Sequence, residues 1–381
     1  MKRRRQERSK ATVRDVVAAV DRLAPWRLAE AWDSVGLLLG DPDWPARRVL
    51  VALDVSEAVC QEAERLRADL VFTHHPLMLK DLDRVTSQTR QGRLALRLAG
   101  GRRALVAAHT NLDSAEGGLC DQFARLVGLV DLEPLRAAGQ DEHYKVVVFT
   151  PESDLEAVRA AAFAAGAGRI GPYSECSFSA PGTGTFRPEE GARPAVGSRG
   201  RRSAVPEHRL EVVAEADRLG AVLAAIARAH SYETPAIDVH PLVSVPLGAG
   251  LGRIGRLEKP KTLAAFAEKV KRAIRRPTIG VVGLRARRIE RVALLTGSGG
   301  GLVEAVLQAR HRGRPVDCYL TGELKFHEVQ DLAAAGVSVV LGGHYETERV
   351  PLEAWTPRLA EALPGVQVRL SESEQAVIRT A

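Results

Sequence analysis

The sequence predicts an α/β protein. It expects a two-part, mixed and mostly parallel sheet domain with helices on both faces, interrupted by a small ferredoxin-like α+β insert domain. Three observations lead there. Short, wholly apolar runs alternate with amphipathic stretches in the first and last thirds, as strands buried on both faces require. The middle, residues 132–250, gains turn residues and loses that alternation. The length, 381 residues, exceeds one ordinary core. The expected division is a basic tail at 1–10, a first half of the sheet domain at 11–131, the insert at 132–250 and the second half at 251–381.

In the first half, Val49 to Val55 reads as a buried strand. Ser56 is placed to cap the helix that follows, with Val59, Ala63 and Leu66 inward and Glu57, Glu62 and Glu64 outward. Asp69 to His75 is the next strand, Gln88 to Leu98 a helix and Arg103 to His109 a third strand. The last third repeats the style. Arg291 to Thr296, Val316 to Thr321 and Val337 to Leu341 are strands, separated by helices at Leu302 to Arg310 and Leu324 to Ala334. In the middle, strands at Tyr144 to Phe149, Arg209 to Ala214 and Ile237 to Leu242 alternate with helices at Asp154 to Ala165 and Leu219 to Ala229. That is the rhythm of a ferredoxin-like unit. A Gly/Pro-rich stretch from Gly166 to Gly200 lies between them.

Composition excludes several classes. The hydrophobic share is 45%, ordinary for a globular protein. No run approaches the roughly 18 apolar residues of a membrane span. The basic start, Met1 to Arg8, has no apolar stretch behind it and is not a secretory signal. Cys60, Cys120, Cys176 and Cys318 are dispersed and form no CxxC pair; this fits a reducing cytoplasm and argues against a thiolate metal site. The net charge of +7 favours phosphate-bearing partners. Aromatics at 4% supply few stacking platforms, so nucleic acid is disfavoured.

Four segments just past expected strands carry the chemistry: Thr73-His74-His75-Pro76, His109-Thr110-Asn111-Leu112-Asp113, Thr321 to His327, and Gly343-His344-Tyr345-Glu346-Thr347-Glu348. Ligands of open α/β sheets bind at the carboxyl ends of strands, so these segments should converge on one edge. Imidazoles and carboxylates without thiolates suit zinc, iron or manganese. One ion rarely needs both members of an adjacent histidine pair, whereas two ions need about five or six ligands. His74, His75, Asp113, His344 and Glu348 supply five. His344 and Glu348 are separated by one helical turn. Glu346 is the rival carboxylate, and in a regular turn it would point away from His344. Pro351 places the expected helix start near Glu348. Gly297 to Gly301 reads as a tight strand-to-helix turn rather than a phosphate cradle. His230 to Pro235 reads as a turn closing the insert. His143, His208, His240 and His311 read as surface residues.

These segments resemble the dinuclear metal-centre family called GTP cyclohydrolase 1 type 2 homologues, or Nif-three-like proteins. Ala31-Trp32-Asp33-Ser34-Val35-Gly36-Leu37 is similar to its N-terminal signature, His109 to Gly118 to its HTNLD segment, and Gly343 to Glu348 to its GHYxxE element. In the insert, Gly168 to Pro188 and His230 to Ala236 resemble its Gly-rich and HPYExPA elements. Ser231 replaces the usual proline, and Cys120 stands where asparagine is usual. The resemblance implies metal ligands at His74, His75, Asp113, His344 and Glu348, and proton-transfer or outer roles for His109 and His327. It implies a cytoplasmic homohexamer holding two divalent transition-metal ions. The expected function is a metal-dependent hydrolase of a small phosphorylated or nucleotide-like substrate, with a non-catalytic metal-handling or regulatory hexamer as the alternative.

Overall fold

The computed structural model describes residues 11–78, 84–138, 143–171, 173–242, 248–311 and 313–377; the basic tail at 1–10 lies outside them. The chain forms two compact units, residues 1–139 with 247–381, and residues 140–246.

The first unit contains two sheets. In one, five strands lie in the order Gly36–Leu39, Ala104–Ala107, Leu70–Thr73, Arg48–Ala52 and Gln367–Leu370. The last four are parallel and the first is antiparallel. Alternate side chains go to opposite faces of a strand, and here both faces are dry. Val49, Val51, Leu70, Phe72 and Val106 pack with helix Val13–Leu23 and with Leu352, Trp355 and Leu359. Leu50, Ala52, Val71 and Leu105 pack with Val59, Ala63, Leu94 and Leu98. Apolar residues at successive positions are what a two-sided core demands. Ser56 does cap helix Glu57–Arg65, accepting from the Val59 N–H.

The second sheet has six strands in the order Gly280–Val282, Ser338–Leu341, Cys318–Thr321, Arg288–Leu294, Gly250–Thr262 and Leu129–Ala137. Its three parallel strands are those starting at Ser338, Cys318 and Arg288, and antiparallel strands flank them. Residues 132–137 therefore belong to an edge strand of this unit. The strands that lead into the candidate ligands are split between two sheets rather than set along one edge. Short apolar strands carry no mark of which neighbour they pair with, so the division is invisible in the sequence.

The helix expected to begin near Glu348 instead runs from His344 to Ala362, with Pro351 and Pro357 inside it. Each proline removes one ladder hydrogen bond. Burial of Leu352, Trp355 and Leu359 on one face, with Trp355 stacked on Phe72 at 5.5 Å between ring centroids, outweighs that loss.

The second unit is an antiparallel sheet in the order Ser177–Phe186, Ser203–Glu215, His143–Thr150 and Ile237–Leu242. Helices Leu155–Ala164 and Ala216–Ala229 cover one face, over Val146, Val148, Leu210 and Val212. The element order is β-α-β-β-α-β, that of the ferredoxin-like arrangement. The Gly/Pro-rich stretch, to which the sequence reading assigns no element, contains the ten-residue strand Ser177–Phe186. His311, expected at the surface, is buried, with Nε2 3.0 Å from the Asp131 carbonyl. No helix among the described residues is long and apolar enough to cross a membrane.

Candidate metal centre

The backbone after strand Leu70–Thr73 is pinned by its neighbour. The His74 and His75 N–H groups donate to the carbonyls of Ala52 and Leu53, at 3.2 and 2.8 Å. The pair thus leaves the sheet at one fixed place. His109 follows strand Ala104–Ala107 and opens the short helix Thr110–Ser114, which carries Asp113. Asn111 locks that corner: its Oδ1 accepts from the His109 N–H at 2.9 Å, and its Nδ2 donates to the Ala24 carbonyl at 2.7 Å. His344 and Glu348 come one turn apart from the start of helix His344–Ala362.

These side chains meet. The rings of His74, His75 and His109 lie 5.1–5.5 Å apart between centroids, and His75 and His344 lie 5.5 Å apart. Glu348 is the hub. Its Oε2 is 3.0 Å from His75 Nε2, and its Oε1 is 3.2 Å from His344 Nε2 and 3.8 Å from His74 Nε2. Asp113 Oδ2 stands 3.6 Å from His74 Nε2, while Oδ1 accepts from the Thr296 hydroxyl at 2.7 Å. Gly297, with φ +62°, brings the backbone close under Glu348, where a Cβ would collide with the carboxylate. Glu346 turns away and pairs with Arg276 at 3.0 Å.

The outer nitrogens explain why the inner ones converge. Nδ1 of His74 is 2.9 Å from the Ala108 carbonyl. Nδ1 of His75 faces Asp54 at 3.1 Å, that of His109 faces Asp33 at 2.9 Å, and that of His344 faces Glu323 at 2.9 Å. Each of these acceptors keeps a proton on Nδ1 and turns Nε2 inward, which is how metal-binding imidazoles are oriented. Two inward atoms, His74 Nε2 and Glu348 Oε2, are buried without a hydrogen-bond partner. The ion-pair distance between His75 and Glu348 does not bring hydrogen-bond geometry with it. Orphaned buried polar atoms are costly, and a cation is the group that would satisfy a lone pair and a carboxylate together. The donor set therefore fits a metal. Two subsets have ligand atoms mutually within 4.8 Å: His74, His75 and His109, and His75, His344 and Glu348.

The electrostatics of the metal-free cluster follow from burial and from Glu348. Burial pushes His74 down to about 3. Burial also lowers His75, but the hydrogen bond to Asp54 and the charge of Glu348 beside it win and hold it at about 10. Glu348 raises His344 to about 9. Burial and the charge of Glu348 push Asp113 up to about 7. Burial opposes ionisation of Glu348, yet His344 and His75 hold it far below the ordinary carboxylate range.

His327 is exposed on the first turn of helix Phe326–Ala334. No contact among the described residues joins it to the other histidines. Sequence reasoning missed Asp33, Asp54 and Thr296 as partners. Asp54 carried a usable signal, being the acidic end of an apolar run. Glu323 sat in a candidate segment without a role.

Fold and cluster define an α/β protein with a buried histidine–carboxylate centre between the strand ends of two sheets. Residues 11–376 match the model of the family described as Duf34/NIF3 (NGG1p interacting factor 3), and the chain belongs to that family. A Mycobacterium tuberculosis protein named GTP cyclohydrolase 1 type 2 homolog is 42% identical over 355 residues, covering 92% of this chain and 90% of its own. A Bacillus subtilis protein of the same name is 36% identical, covering 94% and 96%. The crystal structure of a Bacillus cereus protein related to NIF3 superposes with a TM-score of 0.73 at 34% identity, covering 98% of this chain and all of that one.

Proposed function

We propose that this chain holds two divalent transition-metal ions on His74, His75, Asp113, His344 and Glu348 and hydrolyses a small phosphorylated or nucleotide-like substrate. The observation that carries the reading is the common orientation of four imidazoles, Nδ1 anchored outward and Nε2 inward, around the buried Glu348 carboxylate. Zinc, iron and manganese suit this nitrogen and oxygen set. Bound divalent ions supply Lewis acidity and lower the pKa of water. The protein contributes the rest. Glu348, lying between His75 and His344, has an oxygen for each side of the cluster. Asp33 fixes the His109 ring so that Nε2 is free to take or return a proton within the cleft. His109 is only half-buried and sits beside the exposed Trp32, which suits a group that must reach substrate. The names of the relatives support a nucleotide-like substrate, and the surplus of basic residues agrees with a phosphorylated one. A homohexamer in the cytoplasm accompanies this reading.

Elemental analysis tests the metal, with His74→Ala as control. Two equivalents per chain in the parent, lost in the variant, are expected. Turnover of GTP and a phosphoester panel by the loaded protein, against a His75→Ala, Asp113→Ala double variant, tests the reaction. Equal rates in the two would reject it. A solution mass near six times 41.1 kDa is expected for the assembly.

A further inference from the structure

The insert has a second feature that the metal centre does not use. Helices cover one face of its sheet, and the other face carries a cavity of about 670 Å³ lined by Phe149, Phe186 and Tyr232, with Glu207 and Arg209 in its wall. That volume lies in the range of small-molecule sites. Glu207 is 8% exposed. Its Oε1 accepts from the Tyr232 hydroxyl at 3.0 Å, and its Oε2 has no hydrogen-bond partner among the described residues. The cations nearby are already committed. Glu211 takes Lys145 at 3.0 Å and Arg209 at 2.9 Å, and the Arg209 guanidinium lies 6.0 Å from the Phe149 ring centroid. Glu207 therefore has no counter-ion among the described residues. Gly184 makes room for it: a Cβ there would overlap the carboxylate. A strand glycine weakens the sheet and marks a close approach, and here the approaching group is an ionisable one.

Glu207 presents to the cavity a carboxylate oxygen that no cation among the described residues claims. Tyr232 supplies one hydrogen bond, which does not neutralise the charge. Aromatic rings beside it favour a flat body and attract cations to their faces. We infer that this cavity binds a small aromatic cation bearing a pair of adjacent N–H donors, an amidine-type group, which Glu207 receives while Phe186 and Tyr232 flank the ring. Fork-shaped donors pair with both oxygens of one carboxylate and form the strongest hydrogen bonds of this kind. This inference stands apart from the metal centre and does not depend on it.

The test is an NMR titration of the full chain with benzamidine, and with benzamide as its neutral isostere. Benzamidine should shift resonances of Phe186, Tyr232 and Glu207, and benzamide should bind at least about tenfold more weakly, since a site built for donor pairs rejects an analogue lacking one. Glu207→Gln should weaken benzamidine by about tenfold or more while leaving benzamide unchanged. Gly184→Ala, which displaces the carboxylate, should do the same. Tyr232→Phe keeps the carboxylate and removes its internal donor, so benzamidine binding should persist there. Equal affinity for the two probes, indifference to Glu207→Gln, or no binding of benzamidine at millimolar concentration would each overturn the assignment. Loss of both probes together in Glu207→Gln and Tyr232→Phe would show that the pair only latches the fold, and would overturn it as well.

Discussion

Replacing Glu348 with glutamine removes the hub charge with almost no change of volume. In the metal-free protein, this carboxylate lies 3.0 Å from His75 Nε2 and 3.2 Å from His344 Nε2. It is 3% exposed, so water screens these contacts poorly. It is the main reason that His344 sits near 9, and with Asp54 it holds His75 near 10. In Glu348→Gln, both midpoints should fall, His344 further because the anion still paired with it, Glu323, is exposed. Breaking a buried ion pair by removing one partner costs about 3–5 kcal/mol, and a loss of that order is expected at pH 7. The pH window follows from the shifts. The Glu348 pKa is depressed, so its contribution is in place above the ordinary value of 4.5. The histidine pKa values are raised, so theirs is lost as pH rises through about 9 and 10. The stability gap between parent and variant should be widest between about 4.5 and 6.5, the ordinary carboxylate and imidazole values, narrow as pH rises from 6.5, and level off above about 10. Urea unfolding of the metal-free proteins across pH, with NMR titration of the histidines, measures both. Midpoints of His75 and His344 that stay near 10 and 9 in the variant would refute the reasoning.

Metal uptake near pH 7.5 should release about two protons, because His75 and His344 begin as imidazoliums; calorimetry in buffers of different ionisation enthalpy reads the number, and zero release would contradict the assigned charge states. Asp33→Asn should cost about 2 kcal/mol: its carboxyl, though opposed by burial, is held at about 2 by His109 and Thr110, so the loss is full above the ordinary value of 3.8 and vanishes as pH falls towards 2, as acid-unfolding curves would reveal. Gly297→Ala should lower metal occupancy without unfolding the protein, since the new Cβ meets the Glu348 carboxylate and φ is +62°; elemental analysis beside circular dichroism separates the two effects. Trp355→Ala should destabilise the chain by about 3–5 kcal/mol, because this side chain is fully buried and stacks on Phe72; denaturant midpoints measure it.

The elements were legible wherever the local pattern is strong. Strands at Leu70–Thr73 and Ala104–Ala107 announce themselves as apolar runs closed by polar residues. The strand hidden in the Gly/Pro-rich stretch was not legible, because Gly182 and Gly184 look like turn formers. Gly184 serves instead as room for the Glu207 carboxylate. The long helix from His344 was misread at Pro351 because a local rule about proline knows nothing of the apolar face that holds the helix through it. The ligand candidates were legible as residue types at strand ends. Their partners were not. Asp54 and Asp33 reach His75 and His109 across 21 and 76 residues of sequence, and no spacing rule encodes such a contact.

By itself, the sequence determined the α/β class and pointed to an inserted unit and to histidines and carboxylates at strand ends, since hydrophobic period and side-chain chemistry are local properties. Only the tertiary structure decided that two sheets supply the cluster, and that each imidazole is held by its outer nitrogen so that the inner one faces Glu348. Those facts depend on which strands pair and which loops meet. Burial of apolar faces settles that, at distances along the chain where the sequence pattern is silent.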